Sequence, residues 1–519
     1  MANKDKDPKV EEKRDPSTTE HENTTSESML RRDFLRLGVA VALTTPLVGF
    51  AACSTPTEPG PSDGGAPESG KPRPKDPQDA VSPEKYDKAK SVQRSPETIS
   101  LSDTLFPLGV QAGAMEHDGA LLWGYASDKK AKTLVVWRKG SNKGENAIVF
   151  EKELQPKAGY FHQRVEGLAP GTLYHYAFFQ GKAQRSTVGQ FRTAWIQDSL
   201  KPLTFAATSC TSSRRSPFTA LEITAKHDFD VFLQLGDFSY NDGAKTREEY
   251  RNKWQPVLKD PGYRAVLSKA GMYLTWDDHE VINNDKFYSI SKEHMEIATA
   301  AYFENTALDP RKGNTFWTSY RWGKTAEFIV LDCRGERQPS TRHSDDPIYI
   351  SKKQMAWFKK TLKESPCHFK IILNSVPIID WSNTTLGTFV MDDRWQGYKK
   401  QRTEILEHIS SNKLSNIWWI SGDLHFGVVA KVDPEGPHSK MYEIMAGPGG
   451  NRNILWPIYQ KADAEERDKM FPKKQFMHLY GDSAATLVTL DPWKNTVEIK
   501  FLHHETGEIL YHKTLSQDA

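Results

Sequence analysis

Val231-Phe-Leu-Gln-Leu-Gly-Asp237 is a short apolar run that stops at a glycine and an aspartate, with Tyr240 three residues further on. The same grammar recurs three times. Phe205-Ala-Ala-Thr-Ser-Cys210 stops at a cysteine, and Tyr273-Leu-Thr-Trp-Asp-Asp-His279 at two aspartates and a histidine. Ile417-Trp-Trp-Ile-Ser-Gly-Asp423-Leu-His425 stops at an aspartate and a histidine. Short apolar runs bounded by glycine and polar residues read as strands buried on both faces. Open α/β sheets bind ligands in the crevice beyond the carboxyl ends of their strands. Four such ends carrying Cys, Asp, Tyr and His predict one polar, metal-capable crevice built for hydrolysis, with phosphate esters as the leading substrate class.

Outward from these runs, residues 197–519 alternate strand-like and helix-like segments. Ala326-Glu-Phe-Ile-Val-Leu331, Phe369-Lys-Ile-Ile-Leu373 and Thr486-Leu-Val-Thr-Leu490 suit strands, while 292–304 and 352–363 carry helical periodicity. Alternation of this kind predicts an α/β domain. Residues 100–196 read differently. Leu121-Leu-Trp-Gly-Tyr125, Leu134-Val-Val-Trp137, Ala147-Ile-Val-Phe150 and Tyr174-His-Tyr-Ala-Phe-Phe179 are short, evenly spaced strands, which predicts a separate all-β sandwich domain. Residues 54–99 are rich in Pro, Ser, Gly, Lys and Asp, a composition that predicts a disordered stalk packing against nothing.

Composition narrows the function. The chain has 519 residues, with Lys+Arg 69 against Asp+Glu 67 and a formal net charge of +2. That balance gives no electrostatic basis for specific nucleic-acid binding. The four cysteines, Cys53, Cys210, Cys333 and Cys367, are too few for a disulfide scaffold in a chain this long. A pairing of Cys333 with Cys367 stays open.

The clusters themselves suggest the chemistry. A carboxylate at the buried end of a strand, such as Asp237, is costly unless it is paired or metal-bound. Asp277, Asp278, His279 and Glu280 are consecutive, and one strand cannot aim all four at one point because side chains alternate. Some must therefore orient the others. Asp423 and His425, two apart, share a side. Cys210 is either a thiolate ligand or a small buried hydrophobe. Two other readings stay open at this point: a hydrolase using Cys210 as covalent nucleophile, and a non-catalytic surface lipoprotein in which the sandwich does the binding. Arg214, Arg215, Arg334 and Arg337 are candidate phosphate contacts, because guanidinium matches phosphate geometry.

The amino terminus reads as an address. Residues 1–28 are polar. Leu30-Arg-Arg-Asp-Phe-Leu-Arg36, followed by an apolar stretch over 37–52, resembles a twin-arginine export signal. The stretch is too short for a comfortable membrane span. Phe50-Ala-Ala-Cys53 resembles a lipobox, which implies acylation of Cys53. Residues 1–53 are thus expected to engage the twin-arginine export machinery and to leave the enzyme outside the cytoplasmic membrane, periplasmic or at the cell surface, held there by a lipid anchor.

The order of the segments from about 100 to 515 is similar to that of the alkaline phosphatase D (PhoD-like) metallophosphatases. Ser209-Cys210, Leu235-Gly-Asp-Phe-Ser-Tyr240, Trp276-Asp-Asp-His-Glu-Val281, Leu331-Asp-Cys-Arg334, Asp393-Arg-Trp-Gln-Gly-Tyr398 with Arg402, and Ser421-Gly-Asp-Leu-His425 resemble its successive motifs. Gly167-Leu-Ala-Pro-Gly-Thr-Leu-Tyr174 resembles a fibronectin-like domain. The resemblance implies a metallophosphatase-like layered β-sandwich flanked by helices, behind a small all-β domain. It also implies ferric iron near Cys210, Asp237, Tyr240, His425 and Asp423. A calcium would share Asp237 and be held by Asp278 and one of Asn283 and Asn284; Asn374 is a further candidate for metal or substrate. Other divalent metals stay open. His279 is expected to act as general acid or oxyanion contact on a small phosphate ester, whether monoester or diester. The second motif departs from the family's Tyr-x-Tyr-Glu, reading Phe238-Ser-Tyr-Asn-Asp242.

Overall fold

The computed structural model describes residues 75–92, 95–140, 145–309, 315–382, 384 and 392–517, and these described residues belong to one compact unit. The residues expected to form an export signal, Cys53, and residues 54–74 of the expected stalk lie outside the described residues.

Val231–Leu235 sits mid-sheet, parallel to Leu203–Thr208 on one side and Gly271–Thr275 on the other. These three belong to a nine-stranded sheet. A second, seven-stranded sheet contains Ala326–Val330, Phe369–Leu373, Ile417–Ser421 and Tyr442–Met445 in parallel. Strand side chains alternate between faces. Phe205, Ala207, Val231, Leu233, Leu235 and Tyr273 accordingly share one core with Phe328, Val330, Ile371, Leu373, Trp418 and Ile420 of the facing sheet. Their neighbours Ala206, Phe232, Met272 and Leu274 point the other way, under the helices Arg247–Lys259, Pro261–Lys269 and Lys292–Asn305. Ile329, Ile372 and Trp419 meet Lys352–Glu364 and Lys399–Ser411. The result is helix, sheet, sheet, helix. Both faces of each central strand are buried, which is why those stretches read as unbroken apolar runs. Thr246 and Glu249 cap the Arg247–Lys259 helix reciprocally.

The all-β segment over 100–196 shares a sheet with the segment that follows it. Val110–Glu116 pairs in parallel with Gly271–Thr275 through Gly113 and Met272, and Gly119–Tyr125 and Tyr160–Glu166 follow it to the end of the nine-stranded sheet. The remaining strands form another seven-stranded sheet around Lys132–Lys139 and Leu173–Gln180. A sandwich does exist, with Phe161 and Phe178 rings 5.3 Å apart, but one of its layers is the edge of the catalytic sheet. Alternation reveals a half-buried strand and is silent on which sheet it joins.

The disordered stalk over 54–99 is corrected in its described part. Asp87 is buried and accepts hydrogen bonds from Arg138 Nε and Nη2, both at 2.9 Å, and from Tyr174 Oη at 2.8 Å. Asp76 accepts the Leu200 N–H at 2.7 Å, and Gln78 bridges Pro170 O and Ile196 N at 2.8 Å each. Lys90–Val92 adds a strand to Asn146–Leu154. A composition average hid three well-spaced polar anchors. Side-chain exposure is 5% for Arg138 and 0% for Asp87, so Asp87→Ala leaves a buried guanidinium with only the half-exposed Glu84, at 3.3 Å, as its carboxylate partner. It is expected to cost about 3–5 kcal/mol, and a chain starting near residue 100 at least as much. An unchanged thermal midpoint in Asp87→Ala would reject the docking.

Candidate metal centre

All four strand ends meet, and their backbones are bent to do so. Cys210, Asp237, Asp423 and His425 have φ of 57°, 54°, 69° and 56°. Such left-handed conformations cost a side-chain-bearing residue roughly 1–3 kcal/mol and cluster at functional sites. Gly236 precedes Asp237 at φ 99°, and a Cβ there would lie 2.5 Å from Asp277 Cβ, so the turn requires glycine. Cys210 N–H donates to Gly236 O at 3.2 Å and Thr211 N–H to Asp237 O at 2.9 Å, tying the first two ends together.

The ligand-capable atoms of Cys210, Asp237 and His425 lie within 4.8 Å of one another, as do those of Asp237, Asp278 and His279, and those of Asp277, Asp278 and Asp423. Asp237 belongs to the first two groups. Tyr240 Oη donates to Asp237 Oδ2 at 3.0 Å and lies 3.3 Å from His425 Nε2. Burial pushes the Cys210 thiol, the Tyr240 phenol and the Asp237 carboxyl well above their ordinary values, with neighbouring acids adding to it. Burial also drops His425 to about 3, helped by the charges of His279, Arg394 and Arg215, so its imidazole is neutral and has a lone pair to offer. Thiol, phenol and carboxylates face one another with His279 as the charged partner. A cation would remove the penalty that makes each acid hold its proton. The donor set fits: sulfur, phenolic oxygen, carboxylate and imidazole on one side of Asp237, carboxylate oxygens on the other. A thiol this hard to ionise suits a ligand better than a free nucleophile.

The third group already has its counter-ions. Arg334 Nε lies 2.5 Å from Asp277 Oδ1 and its Nη2 3.4 Å from Asp423 Oδ1, while Arg394 Nε donates to Asp423 Oδ2 at 2.7 Å. Ser375 Oγ adds a bond to Asp277 at 3.1 Å. Asp423 therefore has two guanidinia against it, although burial, with Asp277 beside it, still holds its carboxyl above the ordinary range. Arg334 and Arg337 as phosphate contacts are corrected. Arg334 is fully buried among carboxylates, with Asp393 at 2.8 Å, and Arg337 is taken up by Asp393, Cys333 O and Tyr349. Sequence gives the guanidinium and not the acids that saturate it. Arg214 and Arg215 are exposed on the Ser213–Arg215 turn just after Cys210.

Asn374 is also corrected as a metal or substrate contact. It is buried under the outer helices, accepting from Cys333 Sγ at 2.8 Å and Trp395 Nε1 at 3.4 Å. Asn283 N–H donates to Asp242 Oδ1 at 2.8 Å, and Asn284 opens the Asn284–Ser289 turn. Cys333 and Cys367 are free and buried.

Three residues of the candidate site, Asp242, Arg394 and Asn451, had no reading of their own in the sequence, and Glu280 was read only as one of a run in which some orient the others. Asp242 Oδ2 lies 2.6 Å from His279 Nδ1, and the His279 ring lies against Tyr240 with centroids 4.0 Å apart, leaving Nε2 for the crevice. Asp242 stands at the departure in the second motif, which was its one visible signal. Glu280 accepts the N–H groups of Asp237 and Asp277 at 3.0 and 2.8 Å and that of Phe238, stapling two strand ends; burial pushes it up to about 7. Arg394 neutralises Asp423. Asn451 donates to Tyr240 Oη at 2.6 Å, from a loop with no motif.

Residues 205–487 match the PhoD-like phosphatase family, and residues 91–195 the N-terminal domain of PhoD-like phosphatases. Alkaline phosphatase D of Bacillus subtilis (strain 168) is 26% identical over 454 residues, covering 75% of this chain and 76% of that one. The solved structure of PhoD superposes with a TM-score of 0.67 at 21% identity, over 80% of this chain and 90% of that one. Purple acid phosphatase PPD1 from yellow lupin seeds superposes at 0.56 with 11% identity, over 83% and 75%. At these identities the two superpositions speak for the fold alone.

Proposed function

The chain belongs to the PhoD-like phosphatase family and is a phosphoester hydrolase, and from that premise we propose that it is an exported, metal-dependent enzyme working at a two-metal centre hinged on Asp237. The observation that carries this is the membership of Asp237 in two ligand clusters at once. Cys210, Asp237, Tyr240 and His425 would hold ferric iron, for which anionic sulfur and phenolate are suitable donors. Asp237, Asp278 and one of Asn283 and Asn284 would hold calcium, an oxygen-seeking cation, with Asp423 alongside. Bound there, the metals supply Lewis acidity toward phosphoryl oxygens and a nucleophile of lowered pKa.

The chain's own residues do the rest. Asp242 fixes the His279 proton at Nδ1, so that Nε2, when protonated, gives its proton to the leaving oxygen. Arg334 and Arg394 lock Asp277 and Asp423 in place, which keeps the crevice from reorganising as charge develops. Arg214 and Arg215, exposed just after Cys210, would meet the ester's phosphate from solvent. The test is elemental analysis and a visible spectrum of natively exported protein, with hydrolysis of p-nitrophenyl phosphate and its diester before chelation, after chelation and after reloading. Full activity in the chelated, metal-free protein would sink the reading.

Localisation rests on residues 30–53. Arg31→Lys with Arg32→Lys is expected to leave the precursor in the cytoplasm, and normal export of that double variant would refute the twin-arginine route. Cys53→Ser is expected to release the protein from membranes, since acyl chains contribute about 0.8 kcal/mol per buried CH₂.

A further inference from the structure

Loop 447–451, Gly-Pro-Gly-Gly-Asn, closes the crevice from a direction that none of the four strand ends covers. Gly449 N–H donates to Ser209 O at 2.8 Å and Gly450 N–H to Cys210 O at 3.3 Å. A Cβ on Gly449 would lie 2.6 Å from Thr211 Cγ2, and one on Gly450 2.6 Å from the Phe218 ring. Glycine at both positions lets the loop come this close. That approach delivers Asn451, 8% exposed, to the ligand cluster. Its Oδ1 accepts the Ser212 N–H at 3.2 Å. A backbone N–H can only donate, so this bond decides which end of the amide is oxygen. The Nδ2 donor then faces Tyr240 Oη at 2.6 Å and His425 Nε2 at 3.1 Å. Each contact makes its partner an acceptor.

We propose that Asn451 is a positioning residue of the metal centre, whose amide keeps the Tyr240 oxygen and His425 Nε2 in the acceptor state that a ligand needs and moderates how strongly the tyrosine oxygen donates. The inference rests on the reading of Tyr240 and His425 as ligands. Two consequences follow from the chemistry. With Nε2 accepting, the proton of neutral His425 sits on Nδ1. Nε2 would then have its lone pair to offer a metal, while the amide would keep its bond to Tyr240, which has lone pairs to spare. A hydrogen bond to a phenolate draws electron density off the oxygen. Losing that bond makes the oxygen a stronger donor, which lowers the energy of a phenolate-to-iron charge-transfer band and the reduction potential of the iron.

Two variants separate these effects. Asn451→Asp keeps an oxygen for the Ser212 N–H and replaces the donor by an acceptor. Asn451→Leu removes the donor without adding a charge. In metal-free full-length protein, nitrogen NMR of the labelled imidazoles, with His425 assigned through His425→Gln, is expected to show Nε2 unprotonated in the wild type and protonated in Asn451→Asp. Identical His425 tautomers in the two proteins would overturn the proposal. In protein loaded with ferric iron, Asn451→Leu is expected to move the charge-transfer band to longer wavelength. A coloured wild type whose band does not move in Asn451→Leu also overturns it. A wild type that takes up iron without colour counts against the iron reading, and the tautomer comparison then decides on Asn451.

Discussion

Asp237→Ala is expected to abolish stable occupancy of both metal positions and to lower kcat/KM by about 10³-fold or more, the equivalent of several kcal/mol of lost charge stabilisation. No other residue among those described belongs to both ligand clusters, so no other single change should empty both. Cys210→Ser and Asp278→Ala are each expected to weaken one position and spare the other, which elemental analysis can read directly. The same substitution has an opposite effect on the metal-free protein. Burial, with Asp278 and Asp277 beside it, holds the Asp237 carboxyl well above the ordinary carboxylate range, against the pull of His279. A carboxyl with a raised folded pKa binds its proton more tightly in the native state. Its contribution is therefore fully present below the unfolded value near 3.9 and is lost as pH rises through the folded one. Metal-free wild type is expected to lose stability as pH climbs from about 4, and metal-free Asp237→Ala to lose less. With metal present the order reverses, because a ligand at about 1,000 times its Kd adds roughly 4 kcal/mol to the wild type alone. Thermal melts with and without metal at two pH values check both signs. Equal metal content in the two proteins would refute the shared-ligand geometry.

The candidate ligands were more legible than the residues that hold them. Cys210, Asp237, Tyr240, Asp278, His279, Asp423 and His425 each end or follow an apolar run, and a buried strand end leaves a polar side chain few places to go but the crevice. Asn451 has no such signal. It reaches the site because loop 447–453 closes on residues 209–212, a contact between segments over two hundred residues apart in the chain. Arg334 illustrates the converse error. Its type suggested phosphate, but a guanidinium at 0% exposure beside Asp277, Asp393 and Asp423 has its acceptors supplied by the protein. Residues 110–166 mark a third limit. Period-two alternation is a property of one strand, whereas sheet membership is decided by partners such as Gly113 and Met272, where a Cβ on Gly113 would clash with Ala307 O at 2.0 Å. Residues 75–92 misled because three anchoring side chains, Asp76 and Asp87 buried and Gln78 half-buried, outweigh a proline-rich average.

His279→Asn is expected to leave both metal positions filled and to lower kcat by about 10²- to 10⁴-fold, the range for loss of a positioned general acid. The geometry separates the roles: Asp242 is 2.6 Å from Nδ1, Tyr240 supports the ring face, and Nε2 is left for the reacting ester. Burial works against a charge on this imidazole, yet Asp237, Asp278 and Asp242 outweigh it and push it up to about 10. An acid must be protonated to act, so turnover should fall as pH rises through the His279 value. Bound cations beside Asp237 and Asp278 offset those two carboxylates, which leaves Asp242 as the partner that keeps the proton on at alkaline pH. Asp242→Asn retains an oxygen that can accept from Nδ1 and removes the charge. It should therefore lower the His279 pKa, shift the alkaline limb of kcat toward lower pH, and cost about 10- to 100-fold at the optimum, less than His279→Asn. In the Asp242→Asn, His279→Asn double variant the Asp242 change should add almost nothing, because its effect is transmitted through the imidazole. An alkaline limb that stays where it is in Asp242→Asn, or fully additive losses in the double variant, would place the proton donor on another residue.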